Sequence, residues 1–237
     1  MQCVILAGGL GTRMRPLTES CPKTLLPVSG RPFAHHQLRW LAAQGVTEAI
    51  YCIGHEGDRI RRYWDAEPSP IPSIRYVDEG TRLRGTGGAI RLACEQGVLA
   101  ESFLVIYGDS FLPVEYAPIW QAFQASGMPA LMTVLRNEGR WDRSNAIYEN
   151  GRVLLYDNTA NSAMHYIDYG LSAFRRELFT GAAPEVFDLA ALFHQLSVQG
   201  QLAGYEVAHR FYEIGSPAGL QDLELYLQQG RYVLNIV

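Results

Sequence analysis

The sequence lacks a surplus of positive charge, because 20 Lys and Arg residues are outweighed by 24 Asp and Glu residues, for a net charge of −4. No basic field is available to gather nucleic acid, so we predict no nucleic-acid partner. There is also no run approaching the roughly 18 apolar residues of a membrane span, and the first residues lack the basic head of a signal peptide. We therefore expect a cytoplasmic protein with no membrane partner.

Paired cysteines are absent as well. The four cysteines are scattered, with neither a C-x-x-C pair nor a zinc-like spacing. Single cysteines of this kind are typical of cores in reducing compartments, so neither a disulfide framework nor a zinc centre is expected. The six histidines show no ligand spacing and no base partner, and we assign no catalytic histidine.

What is present is an ordinary globular composition, with 48% apolar and 19% charged residues in a chain of 237. This length suits one large domain, and we predict a single domain over 1–237, with a core over 1–135 and a second part over 136–237. We expect a monomer or a small homo-oligomer.

Apolar runs and helical periodicity alternate through the first part of the chain. The predicted strands are 2–6, 47–53, 73–77, 102–107 and 129–135, and the predicted helices are 34–44, 56–65, 86–97 and 115–126. This alternation predicts an α/β fold, with a Rossmann-like, mostly parallel sheet flanked by helices. Strands at 144–149, 152–156 and 164–173 predict a mixed or antiparallel extension covering the ligand site, and helices at 187–198 and 217–228 close the chain.

A glycine-rich loop follows the first strand, where residues 6–17 read LAGGLGTRMRPL. Glycines let the backbone turn its amides towards phosphate oxygens. Met14 replaces the third glycine of a Rossmann fingerprint, which disfavours a nicotinamide-dependent oxidoreductase, and the Gly-Lys-Ser/Thr of a Walker A loop is absent. The loop is therefore either a phosphate loop with its own cation, Arg13, or only a tight strand-to-helix turn.

Lys23 strengthens the phosphate interpretation, because Pro22 and Pro27 stiffen the chain around it. A rigidly aimed ammonium suits a migrating phosphoryl group. The pairs Gly8-Gly9 and Gly108-Asp109 each follow a predicted strand. Ligands of a parallel sheet bind beyond the carboxyl ends of its strands, so these two pairs are expected in one site.

These motifs resemble the sugar-1-phosphate nucleotidylyltransferase family. The similarity rests on residues 6–17 and 22–28, and it recurs at 85–89 (GTGGA), 108–109 (GD) and 212–217 (YEIGSP), so it spans nearly the whole chain. The short chain looks most like bacterial guanylyltransferases for heptose or mannose 1-phosphate. Uridylyltransferases for amino-sugar phosphates are nearly as close, and cytidylyl or thymidylyl transfer stays open. The resemblance implies two substrates, a nucleoside triphosphate and a sugar 1-phosphate. It makes 1–135 the nucleotide-binding core and 136–237 the sugar-binding part.

The resemblance also implies roles for the nucleotide-side residues. The predicted nucleotide-binding residues are Leu6, Ala7, Gly8, Gly9, Gly11, Thr12, Arg13, Gly87 and Gly88. The predicted catalytic residues are Arg13, Lys23 and Asp109. Arg13 would hold the β- and γ-phosphates, and Lys23 would bridge the α-phosphate and the sugar phosphate. Gly87 and Gly88 would lie against the nucleobase and ribose, and close helix–sheet packing is a further explanation for them that is compatible with this one.

The implied cofactor is Mg²⁺, which prefers hard oxygen ligands and is often held by one or two carboxylates together with phosphates and waters. Asp109 and Glu213 are the predicted ligands. A lone aspartate at a strand end can also be only a helix cap. At the position of Glu213 the family commonly carries aspartate, and the extra methylene changes the reach of the carboxylate.

The sugar side of the site is implied by the later motifs. The predicted sugar-phosphate-binding residues are Lys23, Asn145, Asp157, Asp168, Tyr169 and Gly170. Asn158 stands where many relatives carry a lysine near the sugar phosphate, so Lys23, Arg140 or Arg143 would have to supply that charge. The strand 164–173 is also explained by plain β-propensity. A non-catalytic binding module of the same fold is the alternative from another class.

Overall fold

The computed structural model describes residues 1–19, 21–159, 162–181 and 184–229. The helices are α1 (Phe33–Ala43), α2 (Gly57–Ala66), α3 (Gly85–Glu95), α4 (Tyr116–Ser126), α5 (Leu189–Val198) and α6 (Pro217–Gln228). The strands are β1 (Gln2–Leu6), β2 (Pro27–Val28), β3 (Arg31–Pro32), β4 (Glu48–Ile53), β5 (Ser73–Asp78), β6 (Ser102–Tyr107), β7 (Ser110–Phe111), β8 (Ala130–Arg136), β9 (Ala146–Glu149), β10 (Arg152–Tyr156), β11 (Tyr166–Arg175), β12 (Leu202–Val207) and β13 (Tyr212–Glu213).

The chain forms two compact units that interleave along the sequence. The first comprises Met1–Leu83, Ile106–Pro113 and the chain from Phe211 onward. The second comprises Arg84–Val105 and Val114–Arg210. These boundaries differ from the predicted division at residue 135. The single domain over 1–237 stays a prediction, and its last eight residues lie outside the described part of the chain.

The first unit contains parallel strands in the order β5-β4-β1. Cys3, Val4 and Ile5 of β1 are completely buried, as expected for a parallel strand covered on both faces. Parallel pairing brings the carboxyl ends of these strands to the same edge. The glycine-rich loop leaves β1 at that edge.

The second unit contains strands in the order β11-β8-β12-β10-β9. β12 pairs parallel with β8, whereas β11 pairs antiparallel with β8, and β10 pairs antiparallel with both β12 and β9. The predicted mixed extension is therefore confirmed, although β12 itself was not predicted. The register of β11 against β8 shifts between Asp168 and Ser172, so the strand bulges there.

The predicted fold class is confirmed as α/β with a mostly parallel sheet and helices. Every predicted helix and strand is present, with ends shifted by at most two residues. Within the described ranges, no helix is long and apolar enough to cross a membrane. Cys3, Cys21, Cys52 and Cys94 are all free thiols.

Candidate active site

One hydrophobic cluster of the first unit anchors the charged motifs. Met14, Leu26, Phe111 and Ile214 are all buried in it. Each follows a predicted charged site residue by one to three positions in the chain. Because these apolar side chains are close-packed, the backbone beside them has little freedom. The cluster therefore sets the places from which the charged side chains project.

The glycine-rich loop is tied closely to its surroundings. The amide of Ala7 donates to the carbonyl of Cys52 at 2.8 Å. A Cβ added to Gly8 would lie 2.6 Å from Glu79 Oε1, so only glycine fits there without movement. Gly11 adopts a left-handed φ of 60°, and its carbonyl accepts a hydrogen bond of 2.8 Å from the Thr18 hydroxyl. The backbone conformation of Gly11 thus favours glycine, whereas a side chain at position 8 would only have to displace the end of the Glu79 side chain.

Lys23 and Asp109, which were predicted separately as catalytic residues, meet in an ion pair. Lys23 Nζ lies 2.6 Å from Asp109 Oδ2, and the two side chains are only 15% and 22% exposed. A Cβ added to Gly215 would lie 3.6 Å from both Lys23 Nζ and Arg13 Nη2. Two cations and one carboxylate therefore surround the space in front of Gly215.

A second group of predicted residues meets around Asn145 in the second unit. The Asn145 side-chain oxygen accepts a hydrogen bond of 2.9 Å from the Asp168 amide, and the Asn145 carbonyl accepts one from the Asp157 amide. The Asp168 carboxylate in turn accepts one from the Gly170 amide at 2.9 Å. Gly170 has a φ of 95°, which favours glycine at the bulge.

The comparisons with known proteins decide the family. Residues 2–143 match the family described as Nucleotidyl transferase. This chain belongs to that family. The prediction of a sugar-1-phosphate nucleotidylyltransferase is confirmed at this level, as is its enzyme class.

Two relatives and one solved structure illustrate the similarity. The chain is 26% identical over 234 residues to a D-glycero-alpha-D-manno-heptose 1-phosphate guanylyltransferase of Aneurinibacillus thermoaerophilus, covering 96% of this chain and 99% of the relative. It is 26% identical over 226 residues to an N-acetylmuramate alpha-1-phosphate uridylyltransferase of Caulobacter vibrioides, covering 90% and 91%. The fold matches HddC from Yersinia pseudotuberculosis complexed with GMP-PN with a TM-score of 0.81, at 22% identity and covering 95% and 99%.

Nucleotidyltransferases of this family generally use a divalent metal. Among the described residues, no group of three or more His, Cys, Asp and Glu side chains converges as a metal cage. Asp109 and Glu213 nevertheless lie on adjoining backbone, because β13 pairs Glu213 with Ser110 and the Ile214 amide donates to the Asp109 carbonyl at 3.0 Å. Two carboxylates fit a cation that also binds phosphates and waters.

Asp168 of the nucleotidyltransferase carries its carboxyl group into a poorly hydrated place. Burial raises the pKa of Asp168 to about 6, partly offset by the Gly170 hydrogen bond. Burial raises the pKa of Tyr156, and the negative charge of Asp168 raises it further, while the Asn158 side chain is a hydrogen-bond partner of the same hydroxyl. Tyr156 thus lies beside Asp168, one of the predicted sugar-phosphate-binding residues. Sequence reasoning missed it, although it directly precedes Asp157.

Two other predicted sugar-phosphate-binding residues, Asp157 and Tyr169, have side chains that are engaged elsewhere in the fold. The Asp157 carboxylate accepts hydrogen bonds from the Thr159 amide and hydroxyl at 2.7 and 2.8 Å, which lower the pKa of Asp157. The Asp157 carboxylate therefore stabilises the turn formed by residues 157–159. Tyr169 is only 1% exposed, so its ring packs in the interior and its backbone is what a ligand could reach.

Gly87 and Gly88 of the nucleotidyltransferase lie in the first turn of α3, where residues 185–187 pack against them. A Cβ on Gly87 would overlap the ring of Phe187, and one on Gly88 would lie 2.5 Å from the carbonyl oxygen of Glu185. Both glycine amides donate to the Phe187 carbonyl, at 3.0 and 3.1 Å. The packing interpretation therefore explains both glycines, and their contact with a nucleobase stays a prediction.

The loop between β8 and β9 is held by Asn137, which sequence reasoning did not single out. Its buried amide donates to the Asp142 carbonyl and to the Ser144 hydroxyl, and it accepts from the Trp141 amide. The Asn137 amide N–H donates to the His165 carbonyl at 2.9 Å, directly before β11. This loop carries both arginines considered as replacements for the missing lysine.

Proposed function

We propose that the chain transfers the guanylyl group of GTP to the phosphate of heptose 1-phosphate or mannose 1-phosphate, releasing pyrophosphate. The observation that carries the proposal is the ion pair of Lys23 and Asp109, with the Arg13 guanidinium beside Lys23 at the same face of Gly215. The names of the relatives support the choice of base and sugar, because the heptose 1-phosphate guanylyltransferase is matched over almost its whole length. The free cysteines support a cytoplasmic location.

The proposed reaction is a single in-line displacement. An oxygen of the sugar phosphate attacks the α-phosphorus, the bond from that phosphorus to the bridging β-phosphate oxygen breaks, and pyrophosphate leaves with the electron pair. Arg13 holds the leaving phosphates, while Lys23 binds the charge that develops between the two anions. No general base is needed, because the attacking phosphate is already deprotonated.

Asp109 and Glu213 are the proposed ligands of Mg²⁺. When bound, the ion would neutralise phosphate charge and orient the triphosphate. In the structure the Asp109 carboxylate is already engaged with Lys23, so the same carboxylate orients the ammonium. Removal of divalent ions is expected to abolish turnover.

Asp168 favours a neutral sugar over one that carries its own acid group. No ion pair of Asp168 is found in the described part of the chain, and burial already disfavours its charge. A carboxylate there suits the hydroxyl groups of a heptose or a hexose, which donate hydrogen bonds. A lactyl carboxylate, as in N-acetylmuramate, would be repelled. This contrast argues against the uridylyltransferase alternative for that sugar.

Arg143 is the proposed replacement for the lysine absent at Asn158. Arg140 is already paired with Glu138 at 3.1 Å, and Arg136 contacts the same carboxylate at 2.9 Å. Within the described residues Arg143 makes no ion pair, and it lies two positions before Asn145 in the chain. Its guanidinium is therefore available for a phosphate.

The proposed function is tested by turnover of GTP, UTP, CTP and dTTP against heptose, mannose and N-acetylmuramate 1-phosphates, with pyrophosphate release as the readout. We expect GTP with a neutral sugar phosphate to be turned over fastest. Lys23→Ala should lower kcat by about 10²–10³-fold. A folded wild-type protein that binds nucleotide but releases no pyrophosphate with any pair would support the non-catalytic module instead.

Arg143→Ala tests whether the Arg143 guanidinium binds the phosphate of the sugar 1-phosphate. We expect KM for the sugar 1-phosphate to rise about 10–150-fold, since a charge-assisted hydrogen bond contributes about 1.5–3 kcal/mol, while KM for GTP stays unchanged. Arg140→Ala is the matched control on the same loop, because the Arg140 guanidinium is already paired with Glu138. An equal rise in both variants would reject the special role of Arg143.

A further inference from the structure

Gln37 is a buried polar residue that contacts the turn carrying Asp109. It lies on α1 and is only 2% exposed. Its side-chain nitrogen Nε2 donates to the Tyr107 carbonyl at 2.9 Å and to the Ser110 carbonyl at 2.8 Å. These two carbonyls lie on either side of Gly108 and Asp109. One side chain therefore spans the whole turn.

The chemistry of the two neighbours fixes the orientation of this amide. Both are carbonyl oxygens and can only accept, so the nitrogen must face them and Oε1 must face the other way. Oε1 is buried and finds no hydrogen-bond partner among the described residues. An unsatisfied buried acceptor costs stability, and an apolar side chain of similar volume would avoid that cost. The feature that glutamine adds here is the pair of donors.

The turn has further anchors on other elements. The Gly108 amide donates to the Leu6 carbonyl at 2.9 Å, and the Asp109 carbonyl accepts from the Ile214 amide at 3.0 Å. With Gln37, these bonds hold the backbone on both sides of Asp109. The direction of the Asp109 carboxylate, which meets Lys23 at 2.6 Å, is set by that backbone.

We propose that Gln37 is a positioning residue, whose two donors hold the Gly108–Asp109 turn so that the Asp109 carboxylate faces Lys23 and a bound divalent cation. The proposal rests on the proposed function for the role of the cation, but the geometry between Gln37 and Lys23 does not depend on it. Groups that orient a metal ligand typically contribute about 10–100-fold to metal affinity.

The test compares Gln37→Met with Gln2→Met. Methionine keeps the volume but removes both donors. Gln2 is a matched control, since it is also a buried glutamine of the first unit, its Nε2 donates to Glu48 Oε2 at 2.7 Å, and it lies at the opposite end of β1 from Leu6. Mn²⁺ binding is followed by electron paramagnetic resonance without substrates, together with the half-saturating Mg²⁺ concentration in turnover.

A second readout uses no metal. Lys23 is the only lysine of the chain, so acylation by an amine-directed reagent, measured by mass spectrometry against the N-terminal amine, reports on the Lys23–Asp109 pair. We expect Gln37→Met to weaken Mn²⁺ binding about 10–100-fold and to speed Lys23 acylation, with KM for the sugar 1-phosphate unchanged and with Gln2→Met like wild type.

Wild-type Mn²⁺ affinity and Lys23 reactivity in folded Gln37→Met would overturn the proposal, as would equal changes in Gln2→Met. If Gln37→Met does not fold, Gln37→Ala replaces it, because alanine also lacks both donors and cannot overpack the site. Mn²⁺ binding and Lys23 acylation need neither a sugar nor a nucleotide. If the substrate assignment is wrong, Gln37→Met should still weaken Mn²⁺ binding and speed Lys23 acylation. Only the turnover test with the panel of substrates would then give a negative result.

Discussion

Asp168 has a carboxyl group whose charged form is disfavoured by burial. Burial raises its pKa to about 6, from an ordinary value of 3.8. The folded protein therefore holds this proton more tightly than the unfolded chain does. Between about pH 4 and pH 6 unfolding releases the proton, so this group makes the protein less stable as the pH rises through that window, and the penalty persists above it. Retaining such a carboxylate is expected where it binds a ligand.

Asp168→Asn should therefore raise the melting temperature at pH 8 and give a smaller gain at pH 4.5. Each kcal/mol corresponds to about 2–4 °C for a chain of this size. Asp157→Asn is the control with the opposite sign, since hydrogen bonds from Thr159 lower the pKa of Asp157 and so stabilise its charged form. Thermal unfolding at both pH values is the measurement, and a pH-independent gain in Asp168→Asn would contradict the argument.

At this same scale, sequence reasoning found the residues that interrupt a pattern and missed those that fit one. Lys23 stands out between two prolines, and Asp109 stands out after an apolar strand and a glycine. Tyr156 and Gln37 do not stand out. A tyrosine at the end of a strand and a glutamine within a helix are ordinary, and only the tertiary contacts show what their polar atoms reach.

At the scale of elements, α3 shows how a helix start depends on a segment far along the chain. Phe187 covers Gly87, so Gly87→Ala should be destabilising by about 1–3 kcal/mol through overpacking. This cost outweighs the gain of up to about 1 kcal/mol that alanine brings to a helix. In a Phe187→Ala background the added methyl has room, so the same substitution should become neutral or stabilising.

A double-mutant cycle measured by urea unfolding gives the coupling directly. The hydrogen bonds from Gly87 and Gly88 reach the backbone carbonyl of Phe187, so they survive truncation of its ring. If Gly87→Ala is equally destabilising with and without the Phe187 ring, the packing explanation is wrong. The nucleobase would then be the better reason for this glycine.

The elements that sequence reasoning missed have physical reasons as well. β12 reads LAGYEV, where a glycine and the lack of regular alternation hide a strand that pairs with β8 on one side and β10 on the other. β7 and β13 have two residues each, too few for any periodic signal. At the bulge of β11 the Asp168 side chain accepts a hydrogen bond from the Gly170 amide, a contact that no local propensity encodes.

For the molecule as a whole, the distribution of positive charge gives a direct probe of the site. The chain has 20 basic residues, and all except Lys23 are arginines. A reagent that acylates amines can therefore modify only Lys23 and the N-terminus. The N-terminal amine donates to the Gly45 carbonyl and belongs to neither predicted substrate site, so it serves as an internal reference.

We expect GTP with Mg²⁺ to protect Lys23 from acylation while leaving the N-terminal amine unchanged, because the triphosphate would cover the ammonium beside Asp109. The loss of activity on acylation should follow modification of Lys23 and not that of the N-terminus. Quantitative mass spectrometry of both positions over time, alongside pyrophosphate release, measures this. If full acylation of Lys23 leaves activity intact, the ammonium does not act on the migrating phosphoryl group, and Arg13 would have to carry the charge of the reaction alone.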